Sequence, residues 1–249
     1  MGAKFAKLVS EERLVFLQRE ALRRVSREWA TDLGVTVRDG PFAGLTYPKL
    51  AAAGSAIFPK VIGSYESELH PIIEQIIARD YRRIVNIGAA EGYFAVGFAR
   101  RMPRTVIEAF EMNEDAHPLL RSMAASNGVS DRVKLHGICT TTELKTLALH
   151  NDLLLVDCEG AELILLDPAT VPGLESCEML VEIHTVRGEN TGDILASRFR
   201  GTHRMTIIPI RPRVTGDYPV LDALPQEDRW AVLHERTDTF GWAWFTPAT

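Results

Sequence analysis

Short apolar runs alternate with stretches long enough to form helices along the chain from residue 83 onward. Parallel strands need a crossover connection, which is usually a helix, whereas antiparallel neighbours can be joined by a tight turn. The alternation therefore predicts an α/β chain whose sheet is mostly parallel and covered on both faces. The runs predicted as strands are RIVNI, TVIEAF, RVKLHG, DLLLVD, EMLVEIH and MTIIPI. A late run, WAVLHER (230–236), is predicted to add an antiparallel edge strand.

The residues before this alternation predict an extension of the α/β domain. Residues 10–34 place apolar side chains at helical spacing, with Ser10 as the N-cap and Gly34 as the end, which predicts an amphipathic helix. VTVR and LTY flank the turn DGPFAG and predict a short hairpin. We expect a helix and hairpin extension at residues 1–62 and the α/β domain at 63–249. The apolar positions of the first helix are Leu14, Leu17, Leu22, Val25 and Trp29.

Charge and cysteine usage narrow the partners and the compartment. The 249 residues carry a net charge of −5, which repels a phosphate backbone, so nucleic acid is not an expected partner. Cys139, Cys158 and Cys177 are odd in number and lack CxxC spacing, which predicts buried free thiols and a cytoplasmic location. No apolar stretch has the length of a bilayer span, so no membrane is expected either. The oligomeric state stays open.

Two glycines follow the first predicted strand, RIVNI, at Gly88 and Gly92. In an open parallel sheet the ligand lies over the carboxyl ends of the strands, and the first turn between strand and helix usually contacts it. Gly88 allows a sharp turn, and Gly92 allows the backbone to come close to a ligand. A dinucleotide fingerprint would need glycines where Ala90 and Tyr93 stand, so the spacing argues against NAD.

An acidic residue, Glu111, ends the second predicted strand. A carboxylate at this place can accept hydrogen bonds from both hydroxyls of a ribose. Together with the glycine turn it predicts a nucleoside site. The structural alternative is tight packing of the helix against the strand, which also favours glycines.

Four stretches give the chain a resemblance to the class I S-adenosylmethionine (SAM) methyltransferases, and within them to the FkbM-like family: NIGAAEG (86–92), FEMNEDA (110–116), LLLVDCEGAE (153–162) and LVEIHT (180–185). The resemblance covers about residues 60–210. It implies a Rossmann-like class I methyltransferase sheet, mostly parallel with an antiparallel edge strand, and makes residues 63–249 the SAM-binding domain. It implies that Gly88 and Gly92 face the methionine portion of SAM, that Glu111 holds the ribose and that Asp157 lies close to the reacting centre.

Further cofactor contacts are implied by the same resemblance. Ala89 and Met112 adjoin the glycine turn and the acid. Tyr65 and Glu66 lie in GSYESEL, which resembles the segment that runs under the amino-acid end of the cofactor, although an ordinary helix cap also explains it.

Asn86 departs from the family, which usually has aspartate or glutamate at this position. Its side-chain oxygen can accept a hydrogen bond but brings no charge to the SAM ammonium. Glu91 can supply that charge, or it can be a carboxylate favoured by the dipole at the start of a helix.

Chemistry-bearing side chains follow the fourth and fifth predicted strands. Asp157 ends the fourth, while Glu182 and His184 lie two apart on the fifth and therefore share a face. If the strands are neighbours, the three converge as a general-base pair or as a site for a divalent cation, Mg²⁺ or Mn²⁺, that acidifies a hydroxyl. A buried histidine satisfied by its neighbours is the structural alternative. Glu159 and Glu162 open the next helix and are expected in a supporting role.

The expected activity is SAM-dependent O-methylation of a small hydroxylated molecule, such as a sugar or a secondary metabolite. The fourth strand ends in DCEG and not in an Asn/Asp-Pro-Pro-aromatic motif, which argues against methylation of adenine amino groups. Two alternatives remain: a methyltransferase acting on a protein or RNA, and a non-catalytic nucleoside-binding module, which Asn86 favours.

Overall fold

The computed structural model describes residues 13, 15–17, 19–21, 23–24, 35–235 and 241–248. These residues divide into two compact units. The first contains the described residues up to Ser67 and those from Pro212 to 235, and the second contains Glu68–Arg211 and 241–248. The domain boundary between residues 62 and 63 stays a prediction.

The first unit begins with helical residues between 13 and 24, as the periodicity predicts. Ala21 is buried on this helix, and Arg24 forms an ion pair with the buried carboxylate of Asp228. Leu17 is half-buried. The predicted end residues and the other apolar positions lie outside the described residues: Ser10, Leu14, Leu22, Val25, Trp29 and Gly34.

The predicted hairpin is present in the first unit. Strands β1 (Val35–Thr36) and β2 (Thr46–Tyr47) pair antiparallel. Further along the chain, Arg213 binds the carboxylate of Glu235 through Nε at 2.9 Å and Nη2 at 2.7 Å, and its Nε also donates to the carbonyl of Ser64. This buried pair joins two distant segments of the unit.

The second unit is built on a seven-stranded sheet. Its strands, in their order across the sheet, are β10 (His203–Ile208), β11 (Trp242–Pro247), β7 (Glu178–Glu182), β6 (Leu153–Val156), β3 (Arg83–Ile87), β4 (Val106–Phe110) and β5 (Val133–His136). Strands β3 to β7 are parallel to one another, which confirms the predicted α/β fold. They correspond to five of the six predicted strands, and the sixth, MTIIPI, overlaps β10. A separate small hairpin is formed by β8 (Thr185–Val186) and β9 (Glu189–Asn190).

The antiparallel strand is formed by a different part of the chain from the one predicted. WAVLHER was expected to form it, but residues 230–233 belong to a helix, Gln226–Leu233, in the first unit. The antiparallel strand is β11, which pairs with β7 on one side and with β10 on the other. The mostly parallel sheet with antiparallel pairing at one edge is therefore confirmed, but the sequence assignment of that strand was wrong.

Helices cover both faces of the sheet. Successive side chains of a strand point to opposite faces, and every residue of β6 and all but the first of β3 are buried. Both faces must therefore be covered, as in other parallel sheets. The α-helices of the described residues from 35 onward are α1 (Ile57–Ile62) and α8 (Gln226–Leu233) in the first unit, and α2 (His70–Arg79), α3 (Tyr93–Arg101), α4 (His117–Ser126), α5 (Thr141–Thr146), α6 (Glu162–Leu165) and α7 (Thr191–Phe199) in the second. Within the described part of the chain, no helix has the length and apolar character needed to cross a bilayer.

Strand order reverses beside β3, which has β4 on one side and β6 on the other. The chain leaves β3, β4 and β6 at the same edge of the sheet, because Ile87 is in register with both Phe110 and Val156. Ligands of open α/β sheets bind at such a switch point. The residues that follow these strands therefore define the candidate site.

The cysteines agree with the sequence prediction of free thiols. Cys139 and Cys177 are buried, Cys158 is half-buried, and all three lie within the described residues without a disulfide. The cytoplasmic location stays a prediction.

Candidate cofactor and active site

Gly88 is held between the neighbouring strands on both sides. Its φ is +82°, and a Cβ atom there would lie 1.6 Å from the carbonyl oxygen of Asp157. The N–H groups of Gly88 and Ala89 both donate to the carbonyl oxygen of Phe110 at 2.9 Å. No other residue fits such a turn, because a side chain would displace the strand that carries Asp157.

The turn continues through two more positive φ values, at Ala90 (+48°) and Gly92 (+100°). A Cβ on Gly92 would lie 3.1 Å from the side chains of Leu120 and Val96. The need for glycine at this position therefore comes from its backbone conformation and from packing against α4. Contact between Gly92 and a ligand stays a prediction.

Glu111 joins the glycine turn to the end of β4. Its buried carboxylate accepts the N–H of Ala90 through Oε2 and the N–H of Asn113 through Oε1, each at 2.7 Å. A carboxylate offers about four lone-pair sites, so both oxygens can accept further hydrogen bonds.

Two exposed apolar side chains adjoin Glu111. Met112 is 74% exposed and Ile138 is 59% exposed. Met112 comes two residues after Phe110, and Ile138 comes two residues after His136. Because Phe110 and His136 are in register, both side chains lie just beyond the carboxyl edge of the sheet. Met112 is among the predicted cofactor contacts and Ile138 is not; contact of either side chain with a ligand stays a prediction.

Asn86 lies inside the sheet with β4 and β6 on either side, opposite Ala109 and Leu155. Its side chain is 1% exposed, and neither atom of the amide has a hydrogen-bond partner among the described residues. Burying an unsatisfied polar group costs about 1–3 kcal/mol. Such a cost at the switch point of the sheet is typical of a ligand site.

The other predicted contacts to the amino-acid end are distributed over both units. Glu91 is buried in the glycine turn of the second unit. Tyr65 and Glu66 are buried in the first unit, where the N–H of Glu66 donates to Glu235 at 3.1 Å and the ammonium of Lys60 lies 4.8 Å from the centre of the Tyr65 ring. Their roles toward a cofactor stay predictions.

The structure brings Asp157, Glu182 and His184 together, as the sequence predicts for neighbouring strands. Ligand atoms of the three side chains lie within 4.8 Å of one another. Strand β7 ends at Glu182, so His184 lies just beyond the strand and not on it. Nε2 of His184 is 3.6 Å from Oε2 of Glu182 and 3.6 Å from Oε2 of Glu159.

Glu162 contacts the same histidine more closely than the sequence suggests. Its buried Oε1 lies 3.1 Å from Nδ1 of His184. Burial alone would lower the pKa of His184, but the carboxylates of Glu162, Asp157 and Glu159 outweigh it and raise that pKa above its ordinary value. Burial likewise opposes ionisation of Glu162, yet the neighbouring imidazole and backbone N–H groups lower its pKa. Each of the two groups therefore favours the charged form of the other.

The chain is similar to several solved structures. The chain is similar to TomG, an O-methyltransferase from Streptomyces achromogenes involved in tomaymycin synthesis and solved in complex with SAM, at 18% identity over 71% of this chain and 77% of that one, with a TM-score of 0.50. It is also similar to the S-adenosylhomocysteine (SAH)-bound methyltransferase PaMTH1 of Podospora anserina (26% identity, 49% of this chain and 52% of that one, TM-score 0.40). A third similar structure is the O-methyltransferase from Bacillus cereus in complex with SAH (12% identity, 71% and 78%, TM-score 0.47).

The likeness to TomG establishes the Rossmann-like fold of the chain. No family model matches the sequence, and no curated protein sequence matches it.

Proposed function

We propose that the chain is a SAM-dependent methyltransferase that methylates a hydroxyl oxygen of a small molecule, such as a sugar or a secondary metabolite. The observation that carries this proposal is the sheet edge at which Gly88, Glu111 and Asp157 follow three neighbouring strands. The O-methyltransferases TomG and that of Bacillus cereus share the general fold. The EGAE stretch after Asp157 favours the FkbM-like family within this class.

The cofactor contacts follow from the geometry of the edge. Glu111 has the spare acceptor sites for two ribose hydroxyls. Met112 and Ile138 offer exposed apolar surface beside it for the adenine ring. Asn86 offers a buried amide, free of partners among the described residues, to the methionine portion. NAD lacks support because the glycine spacing does not match its fingerprint.

The chemistry asks little of the protein. SAM, when bound, supplies a methyl group already activated on a sulfonium. The residues of the chain must hold the acceptor hydroxyl in line with that group and take its proton. Asp157 is the proposed base that takes the proton, and Glu182 and His184 hold the hydroxyl of the methyl acceptor beside Asp157. The products would be the methylated oxygen and SAH, with the hydroxyl proton on Asp157.

Thermal unfolding tests the cofactor assignment. SAM or SAH at 100 times its dissociation constant is expected to stabilise the chain by about 2.7 kcal/mol, which raises Tm by about 5–10 °C in a chain of this size. NAD should produce no shift. Glu111→Ala should remove the shift, because the ribose hydroxyls lose their acceptor.

Glu114→Ala is the matched control, since Glu114 is exposed and close to Glu111 in the chain. It should keep the shift with both sulfur nucleosides. Wild-type protein that melts at the same temperature with and without SAM and SAH would contradict the proposal, because the glycines would then only pack a turn.

A metal-assisted version is favoured by the closeness of three ligand atoms from Asp157, Glu182 and His184. Carboxylate and imidazole ligands suit Mn²⁺, and carboxylates suit Mg²⁺. In this version the cation would acidify the acceptor hydroxyl. Chelator treatment is then expected to stop turnover, and added Mg²⁺ or Mn²⁺ to restore it. Turnover that is unchanged in chelator would contradict the metal version and leave the general-base version.

A further inference from the structure

Glu162 is the most deeply buried acid of the cluster, with a side chain that is 0% exposed. It is the first residue of the short helix α6, and its carboxylate points back to the turn that follows β6, where Cys158 lies. An ionised carboxylate inside a protein loses several kcal/mol of hydration unless partners compensate it. The partners of Glu162 therefore decide what it does.

Three groups meet the same oxygen, Oε1 of Glu162. The N–H of Cys158 donates to it at 3.2 Å, the Cys158 thiol donates at 3.5 Å, and Nδ1 of His184 lies at 3.1 Å. The thiol can donate because burial, and secondarily Glu162 itself, raises the pKa of Cys158. Among the described residues, His184 is the one group paired with Glu162 that can carry a positive charge.

His184 is fixed on two sides. Its backbone N–H donates to Oγ1 of Thr191 at 3.0 Å, and its carbonyl accepts the N–H of Thr191 at 3.0 Å. Its ring places Nδ1 3.1 Å from Oε1 of Glu162, at an angle outside that of a well-formed hydrogen bond, so the contact is one of close approach between two buried groups. Rotation of the ring would move Nδ1 away from the buried Glu162 carboxylate and leave its Oε1, among the described residues, with the N–H and thiol of Cys158, so the observed orientation is favoured.

We propose that Glu162 is a positioning residue for His184: its buried carboxylate holds Nδ1 and thereby aims Nε2 at the part of the cluster that contains Asp157, Glu159 and Glu182. This arrangement has a general precedent, because a carboxylate on one ring nitrogen fixes the tautomer and the direction of the other. The role serves the general-base version and the metal version alike, since both use Nε2.

Glu159 supplies the contrast within the same turn. Its carboxylate lies 3.6 Å from Nε2 of His184, but its side chain is 84% exposed. Water can replace what Glu159 gives the histidine, whereas nothing mobile reaches Glu162. Because Glu159 still belongs to the cluster, the control for the change of charge is Glu189, which is exposed on β9 of the small hairpin that follows His184.

The kinetic test compares Glu162→Gln with the control Glu189→Gln. Glu162→Gln is expected to lower kcat by about 10–100-fold, the usual cost of removing a partner that orients a functional histidine. KM for SAM should stay within a few-fold, because Glu162 does not contact the proposed cofactor site. Glu189→Gln should keep kcat within a few-fold. Equal losses in the two variants would overturn the proposal.

The effect on turnover presupposes the methyltransferase function, whereas the effect on the imidazole does not. ¹⁵N NMR of chelator-treated wild-type protein, at alkaline pH where His184 is neutral, is expected to show the proton on Nδ1, with the signal assigned by its absence in His184→Gln. A proton on Nε2 would overturn the proposal whether or not the protein transfers methyl groups. This measurement decides the question even if Glu162→Gln fails to fold.

Discussion

Asp157→Asn is expected to lower kcat for methyl transfer by about 10²–10⁴-fold, the range that a positioned general base contributes. The affinity for SAM should stay within a few-fold. Asparagine keeps the shape of the side chain, and the backbone contacts of this position do not involve the carboxylate: the N–H of Asp157 donates to Ile87 at 2.9 Å, and its carbonyl packs against Gly88. The glycine turn should therefore survive the change.

Formation of SAH measures turnover, and the thermal shift with SAM measures binding. Asp131→Asn is the control for the change of charge, because Asp131 is exposed and far along the chain from the cluster. Loss of turnover together with loss of the thermal shift would contradict a catalytic role and place Asp157 in cofactor binding. A wild-type protein that binds SAM but forms no SAH with any acceptor of a broad panel would favour the non-catalytic module.

The parallel strands were predictable because their signal is local. Each is a short apolar run, as expected for strands buried on both faces, and each is separated from the next by a helical stretch. The same reasoning placed Glu111, Asp157 and Glu182 at one edge of the sheet, since the carboxyl ends of parallel strands meet there. Whether the fourth and fifth predicted strands are neighbours was left open by the sequence, and the structure shows that they are.

The antiparallel strand was assigned to the wrong run for a physical reason. WAVLHER is a short apolar run, and periodicity alone cannot separate a short strand from one face of a helix. In the structure Ala231, Val232 and Leu233 are buried on α8, while Trp230 is exposed. The true strand, β11, enters between β7 and β10, and that choice of partners is set by tertiary pairing that a local pattern does not contain.

The pairing of Glu162 with His184 was also beyond the sequence pattern. Spacing placed Glu162 at the start of a helix, where an acid is favoured by the dipole whatever its function. Its inward direction depends on the preceding turn, in which Glu159 has a φ of +53° and Gly160 a φ of +106°. These left-handed conformations are a property of the folded turn, and they bring Glu162 back toward Cys158 and His184.

Asn86→Leu is expected to change stability and cofactor binding in opposite directions. Both atoms of the Asn86 amide are buried without partners among the described residues, so the free protein carries a cost of about 1–3 kcal/mol that an apolar side chain branched at the same carbon would remove. The variant should melt several degrees higher than the wild type in the absence of ligand. The thermal shift with SAM should be lost, because the methionine portion would face methyl groups.

Asn86→Asp gives the matched comparison. A buried carboxylate should lower the Tm of the free protein, because ionisation inside the sheet is costly, but it keeps an acceptor and adds the charge that the SAM ammonium favours. The SAM-induced shift should therefore persist in Asn86→Asp while it disappears in Asn86→Leu. If Asn86→Leu instead melts lower than the wild type and keeps its full shift, Asn86 serves the packing of β3 and not the ligand. If Asn86→Leu raises the Tm of the free protein and loses the SAM-induced shift, while Asn86→Asp lowers that Tm and keeps the shift, the unsatisfied amide is retained for binding at the expense of stability.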